Sequence, residues 1–329
     1  MIRFFDKANY DFLAIRKLAY KASTIVAVPG LLLLFVRGLN ESIEFTGGTL
    51  IQISAMNPDI NTGSIRTTLT NAGIEGAEIQ TFGASDEFVV RARLSPDLDR
   101  SEQSTQETGA AVNNALADAF GDNGYVINRV EAVGPKVGSE LRRKAVMAIL
   151  LSFGAVLIYL WIRFEWRFGV AAVLATVHDI ILTIAFISLM NLEVSLVVVA
   201  GILLIVGYSL NDTIITFDRV RENLRKFKRS KLYEVLNRSV NETLPRTVLT
   251  SGTTLGATVA LLVFGSETIR GFAWVATFGI IVGTFSSIFI ASPVLLAIEQ
   301  RWPGEDIRGA RTFIATPQEN RPGETGAPE

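Results

Sequence analysis

Asp212 stands beside Asn211 at the end of an apolar run, 194–210, that carries no charge. A carboxylate inside or at the edge of a membrane helix costs roughly 2.5–3.5 kcal/mol on insertion scales, so it persists where it faces a protein interior or a wet cavity. Helical spacing puts Ser209, Asp212, Thr213 and Thr216 on one face, opposite Ile205, Val206, Leu210, Ile214 and Phe217. Such a face suits proton uptake and release; the plainer alternative is that Asp212 only ends the helix at the water interface. A second polar pair, His178-Asp179, falls almost in the middle of the apolar run 168–190. Pairs of this kind occur in proton relays, although the aspartate could simply hydrogen-bond a neighbouring helix. The third site is Arg246, after Leu244-Pro245, opening the run 247–264. Thr250 and Thr253 continue its face, with Ser251, Thr254 and Thr258 close by. An arginine there can snorkel to the headgroups, but the preceding span offers it carboxylate and hydroxyl partners. Desolvation favours a neutral carboxyl and a nearby guanidinium favours the ionised one, so a helix movement that joins or parts such groups would release or bind a proton.

Six apolar runs must position these groups. The chain is 49% hydrophobic, yet its 31 basic and 32 acidic residues balance to −1, which reads as a membrane protein with a sizeable wet part and not as a nucleic-acid binder. Without cysteine it has neither disulfides nor a thiolate metal site, and one histidine excludes a histidine-rich metal centre within the chain. The expected spans are 22–37, 141–162, 168–190, 194–217, 247–265 and 271–298, each about the ~20 residues that cross ~30 Å of hydrocarbon. The first resembles a signal peptide, but Arg37-Gly38-Leu39-Asn40 offers no cleavage site, so it is expected to remain as a helix. Gly252 with Gly256, and Gly279 with Gly283, supply small-residue faces for helix contact.

Residues 38–140 differ in kind. Strand character over 43–54, helical patterning over 59–72, strands at 77–82 and 87–94 around a turn, a helix over 97–120 and a strand over 125–133 give the order βαββαβ. The expected fold is therefore a polytopic α-helical membrane protein with six transmembrane helices and a ferredoxin-like α+β domain between the first two. Nothing in that domain has a catalytic pattern, so it is expected to bind or to do mechanical work, and the chain is not expected to be an enzyme.

Basic residues set the orientation. With the N-terminus inside, the inner segments 1–21, 163–167, 218–246 and 299–329 hold 5, 2, 9 and 4 of the 31 lysines and arginines. The expectation is N-in and C-in, with 38–140 extracytoplasmic, 218–246 a basic cytoplasmic loop and 299–329 a disordered cytoplasmic tail.

Several separate segments, in order, resemble one family. These are Ile43-Glu44-Phe45-Thr46-Gly47-Gly48 after the first span, Val133-Gly134-Pro135 before the second, the stretch 206–223, and 241–247 with the hydroxyls after it. They are similar to the SecF side of the SecD/SecF family of protein-export membrane proteins, of the resistance–nodulation–division type. The resemblance covers roughly residues 15–298. It implies a bacterial plasma-membrane subunit that works with SecD, whose six spans form the other half, and with the SecYEG channel, YajC-type and insertase accessory subunits, an unfolded preprotein and the surrounding lipids. It implies further that no cofactor is needed, with protons as the coupling ion, and that export is completed by proton flow. A sodium ion would also suit a carboxylate. In the family an aspartate on the fourth span and an arginine opening the fifth are functional; they match Asp212 and Arg246. His178, Asp179, Asn211, Thr250 and Thr253 are the supporting polar candidates. A small-molecule or lipid exporter of the same superfamily is the alternative, although such proteins generally carry larger outer domains.

Overall fold

Apolar runs separated by short polar connections leave the chain little choice but antiparallel helices. The computed structural model describes residues 9–74, 77–83, 85–92, 102–121 and 123–302. In chain order its elements are α1 (Arg16–Arg37), β1 (Asn40–Glu41), α2 (Ile43–Thr46), β2 (Gly48–Ala55), α3 (Thr62–Asn71), β3 (Glu78–Thr81), β4 (Glu87–Ala92), α4 (Glu102–Phe120) and β5 (Tyr125–Val133). Then follow α5 (Pro135–Arg163), α6 (Trp166–Leu189), β6 (Glu193–Val194), α7 (Leu196–Lys226), α8 (Leu232–Phe264) and α9 (Glu267–Ser286). A π-helical stretch, Ser287–Ala291, joins α9 to α10 (Ser292–Arg301) ahead of Pro293, which has no N–H to give to the ladder.

Among the described residues six helices are long and apolar enough to cross a membrane: α1, α5, α6, α7, α8 and the continuous Thr268–Arg301. At least half of the apolar window is buried in α6, α7 and the last span, and less than a fifth in α1, α5 and α8. The first three are therefore the centre of the bundle and the others its rim. Rim helices expose Phe35, Val36, Trp161, Ile162 and Phe264 almost completely, a surface suited to acyl chains. Close approach is by glycine. A Cβ on Gly279 would lie 2.1 Å from Ile205 and one on Gly283 3.0 Å from Ser209, so α9 meets α7 along the Gly279–Gly283 face. Gly252 and Gly256 have no such neighbour.

Between α1 and α5 lies the small sheet domain. Its antiparallel sheet has the order β3-β4-β2-β5, and α3 and α4 help enclose a core of Ile51, Ile53, Ile65, Leu69, Phe88, Val90, Val112 and Leu116. The element succession is the βαββαβ read from the sequence. Strand structure begins later than the expected residue 43, because Ser42 accepts the Glu44 N–H at 3.2 Å and starts the one-turn helix α2. Gly47, at φ +76°, stops that helix. Residues 93–101 and 303–329, which include the end of the expected second hairpin strand, the start of the expected helix 97–120 and most of the expected tail, lie outside the described residues.

The stretch 218–246 is not the loop expected from its charge. It is the end of α7 and the beginning of α8, joined through residues 227–231. Between its arginines and lysines fall Val220, Leu224, Val235 and Leu236, which bury against Leu13, Phe164 and Leu295. The charges are the outer face of two amphipathic helix ends. For the same reason the helices overrun the expected span limits: α1 starts at Arg16, α5 at Pro135 and α8 at Leu232.

Candidate functional site

Three features fix α7, which carries Asp212, at its sheet-domain end. Ser195 caps the helix by accepting the Val198 N–H at 3.3 Å, and Glu44 of α2 accepts the Leu196 N–H at 2.6 Å. Just before it, β6 pairs in parallel with β1, tying the end of α1 to the start of α7. At the other end Asn223 donates to Ser239 of α8 at 3.0 Å and to Glu242 at 2.7 Å. A buried ion pair at 2.8 Å between Arg167 and Glu299 fastens α6 to α10 at the same level.

Within the bundle so fixed, the polar groups form one line. It starts on the rim, where Ser23 of α1 lies 2.9 Å from His178 Nε2. His178 Nδ1 is 2.8 Å from Asp179 Oδ1. Asp179 is wholly buried, and its second oxygen accepts the hydroxyl of Ser209 on α7. Ser209 sits one turn before Asp212, itself 2% exposed, on the same buried face. Ser251 of α8 donates to Asp212 Oδ2 at 3.5 Å, and Thr284 of α9 donates to Ser251 at 2.7 Å. Five helices thus contribute to two hydrogen-bonded groups, Ser23–His178–Asp179–Ser209 and Asp212–Ser251–Thr284, which meet on successive turns of one face of α7 and hold two carboxylates and one imidazole between them. A carboxylate accepts and, once protonated, donates; an imidazole does both; a hydroxyl can pass a proton from one side to the other. Chemically the arrangement can hold and relay protons in a water-poor interior. Among the described residues no group of three or more His, Asp or Glu is placed to hold a metal ion.

The candidates read from the sequence divide accordingly. Asp212, His178 and Asp179 lie on the line. Arg246 is exposed at the side of α8 and forms no ion pair with Asp212 in this arrangement. Asn211 is exposed on α7, and Thr253 is exposed and donates to the backbone carbonyls of Leu249 and Thr250. Thr250 is half-buried beside them. Ser23 and Thr284 were not singled out in the sequence. Their only signal is a hydroxyl within an apolar run, a weak one because most such hydroxyls bond their own helix, as Thr24 does to Tyr20 and Thr183 to Asp179.

Comparison with known proteins agrees with this architecture. Residues 111–301 match the family described as protein export membrane protein SecD/SecF, C-terminal, and residues 32–55 match the SecD/SecF GG motif, which contains Gly47-Gly48. The protein translocase subunit SecF of Gemmatimonas aurantiaca is 49% identical over 308 residues, covering 93% of this chain and 92% of its own length. That of Calditerrivibrio nitroreducens is 43% identical over 297 residues, 89% of this chain and 95% of its own. Among solved structures, SecDF of Thermus thermophilus, described as a translocon-associated membrane protein, superposes with a TM-score of 0.80 at 36% identity. The match covers 92% of this chain but 40% of that longer one. A SecDF in a super-membrane-facing form gives 0.65 at the same identity. On these matches the chain belongs to the SecD/SecF family of protein-export membrane proteins, as a SecF-type translocase subunit.

Proposed function

We propose that the chain is the half of a two-part export device that, with a SecD-type partner, uses proton movement to complete the passage of preproteins across the plasma membrane. The observation that carries this reading is the line from Ser23 through His178, Asp179 and Ser209 to Asp212, Ser251 and Thr284, with both carboxylates removed from bulk water. Buried carboxylates that served only packing would be poor choices, since apolar residues of similar size are as stable or more so. One proton crossing 100 mV supplies ~2.3 kcal/mol, enough to bias two positions of an outer domain and too little to unfold a protein.

The two carboxylates have different parts in this reading. Asp212 is the group loaded and unloaded, and Arg246 is its counter-charge, brought up or withdrawn by movement of α8 against α7. Asp179, held by His178 and Ser209, is the supporting acceptor. Arg246, Asn211 and Thr253, with the open glycines Gly207, Gly252 and Gly256, lie on outward faces of α7 and α8. Polar groups on such faces are costly against lipid, so this is where the partner half seats. The SecYEG channel, accessory subunits and the unfolded preprotein complete the set of partners, with no nucleic acid and no cofactor besides the coupling ion. Residues 38–140 face the extracytoplasmic side and both termini the cytoplasm, as the basic residues favour.

The test is preprotein export in inverted vesicles, with and without a proton gradient. Asp212→Asn keeps the shape and cannot ionise, so export should lose its dependence on the gradient while the subunit still inserts and binds its partner. Gradient-dependent export at the normal rate in that variant overturns the reading.

A further inference from the structure

At the end of the bundle away from the sheet domain, an open groove of about 620 Å³ lies between the end of α5 and the last turns of α7. Arg163, Arg221, Arg225 and Lys226 line it, with Asp218 and Glu222 as the opposing charges. Those carboxylates are largely engaged: Asp218 with Arg163 at 2.5 Å, and Glu222 with Arg219, which is not part of the groove, at 2.5 Å. Arg225 and Lys226 are exposed and, among the described residues, have no acidic partner. Arg221 stacks over Phe164 at 5.6 Å, is 3.8 Å from Asp218, and has a buried Nε with no hydrogen-bond partner. The groove therefore keeps a net positive charge and unspent N–H donors.

Its depth is set by two independent features. Asp218 is the twenty-third residue of α7, about 33 Å from the helix start, where a ~30 Å hydrocarbon layer ends. Three of the four tryptophans, Trp161, Trp166 and Trp302, lie at this end of the bundle, largely exposed, with Trp166 and Trp302 edge to face at 6.5 Å. Tryptophan collects at the headgroup level of a bilayer. In the helical turn before Arg163, Ile158, Trp161 and Ile162 are exposed, an apolar rail leading from the groove toward the bilayer centre.

We propose that this groove seats the phosphate of an anionic phospholipid from the leaflet opposite the sheet domain. Arg221, Arg225 and Lys226 take the phosphate oxygens, and the exposed side of α5 takes an acyl chain. The lipid then bridges α5, a rim helix whose apolar stretch is little buried, to α7, which carries Asp212. The inference rests on the bundle spanning a membrane, and not on proton flow.

The full chain in detergent, titrated with phosphatidylglycerol or phosphatidylcholine and followed by native mass spectrometry, tests it. Phosphatidylglycerol should be retained in preference, and Arg225→Gln with Lys226→Gln should weaken that retention about tenfold. Arg225→Lys should retain it, and so should Arg238→Gln, a basic residue outside the groove. Inorganic phosphate at millimolar concentration should not displace the lipid, because it lacks the chain that lies on α5. Equal retention of the two lipids, equal retention by the double variant, or displacement by inorganic phosphate would each overturn the assignment, the last in favour of a free-phosphate site.

Discussion

The sheet domain and the helix bundle differ in what their interiors hold and in what their surfaces meet. In the domain the core is Ile51, Ile53, Ile65, Leu69, Phe88, Val90, Val112 and Leu116, with no carboxylate among its buried residues. The bundle interior is apolar as well, through Phe168, Phe217, Ile205 and Val275, but Asp179, Asp212, Ser209, Thr176, Thr213, Thr216, Ser251 and Ser286 are buried within it, and its outside is apolar too. Water drives the first arrangement, because apolar area removed from it is the main stabilising contribution. Lipid gives no such drive between helices, so the bundle is held by close packing and interhelical hydrogen bonds. The difference teaches where each region is vulnerable: the domain through its apolar core, the bundle through its small and polar residues.

The largest effect on stability is therefore expected in the domain. Leu116→Ala leaves a cavity under the sheet and should cost the domain roughly 2–5 kcal/mol. Hydrogen exchange should show strands β2 and β4 losing protection while α6 and α7 keep theirs. Equal loss in both regions would mean that they unfold as one unit and that the comparison fails. Next comes the packing of the bundle. Gly279→Ala forces a methyl into Ile205, which is buried and branched, and should cost about 1–3 kcal/mol in detergent melting. Gly252→Ala meets nothing within 4 Å and should leave the isolated chain unchanged, while weakening its association with a SecD-type partner.

A smaller stability effect, with a larger functional one, belongs to the polar line. Interhelical hydrogen bonds in membranes average about 0.6 kcal/mol and reach about 1.7, so Asp179→Asn should shift melting by no more than that. Its effect on gradient-driven export should be far greater than its effect on melting. Asp179→Leu, which also leaves His178 Nδ1 and the Ser209 hydroxyl without their acceptor, should be worse in both. If Asp179→Asn exports normally while Asp179→Leu does not, the carboxyl serves only to hold α6 against α7.

How much of this was legible depends on which physical rule left a mark in the sequence. The six spans were, because a run of about twenty apolar residues has few other uses. So were the strands of the sheet domain, except at 43–46, where strand-forming residues hid a helical turn whose signals were the cap Ser42 and the stop Gly47. The stretch 218–246 reads as a loop because its charges are dense, yet Val220 with Leu224, and Leu232 with Val235 and Leu236, fall at helical spacing within it. Asp212 and His178-Asp179 stood out as charge within apolar sequence. Their connection did not: the 3.6-residue period places Ser209 and Asp212 on one face equally, and only packing decides that Asp179 meets the serine. Nor could it say which of many hydroxyls turn away from their own helix, as Ser251 does toward Asp212.

The smallest effect tests the contact between the two regions. Arg91 of β4 pairs with Glu193 of β6, just before α7, and Arg129 of β5 donates to Thr268 of α9 at 3.1 Å. Burial pushes the Glu193 carboxyl up from its ordinary 4.5; Arg91 works against the rise, and Glu44 and Glu78 add to it. If the domain lifts from the bundle, Glu193 regains water and its ordinary value. A carboxyl with the higher pKa in the docked form binds its proton more tightly there, so docking is strongest below 4.5 and weakens as the pH rises through the raised value. The chain has no cysteine, so spin labels on Gln80→Cys and Met190→Cys report the separation without interference. As the pH rises from below 4.5 the distance distribution should broaden toward longer values, modestly because Arg129 and the pairing of β1 with β6 still hold. Glu193→Gln, which cannot ionise, should flatten that dependence. A distribution that tightens with rising pH would mean that the ion pair with Arg91 outweighs burial, and that this junction behaves like a surface contact and not like an interior.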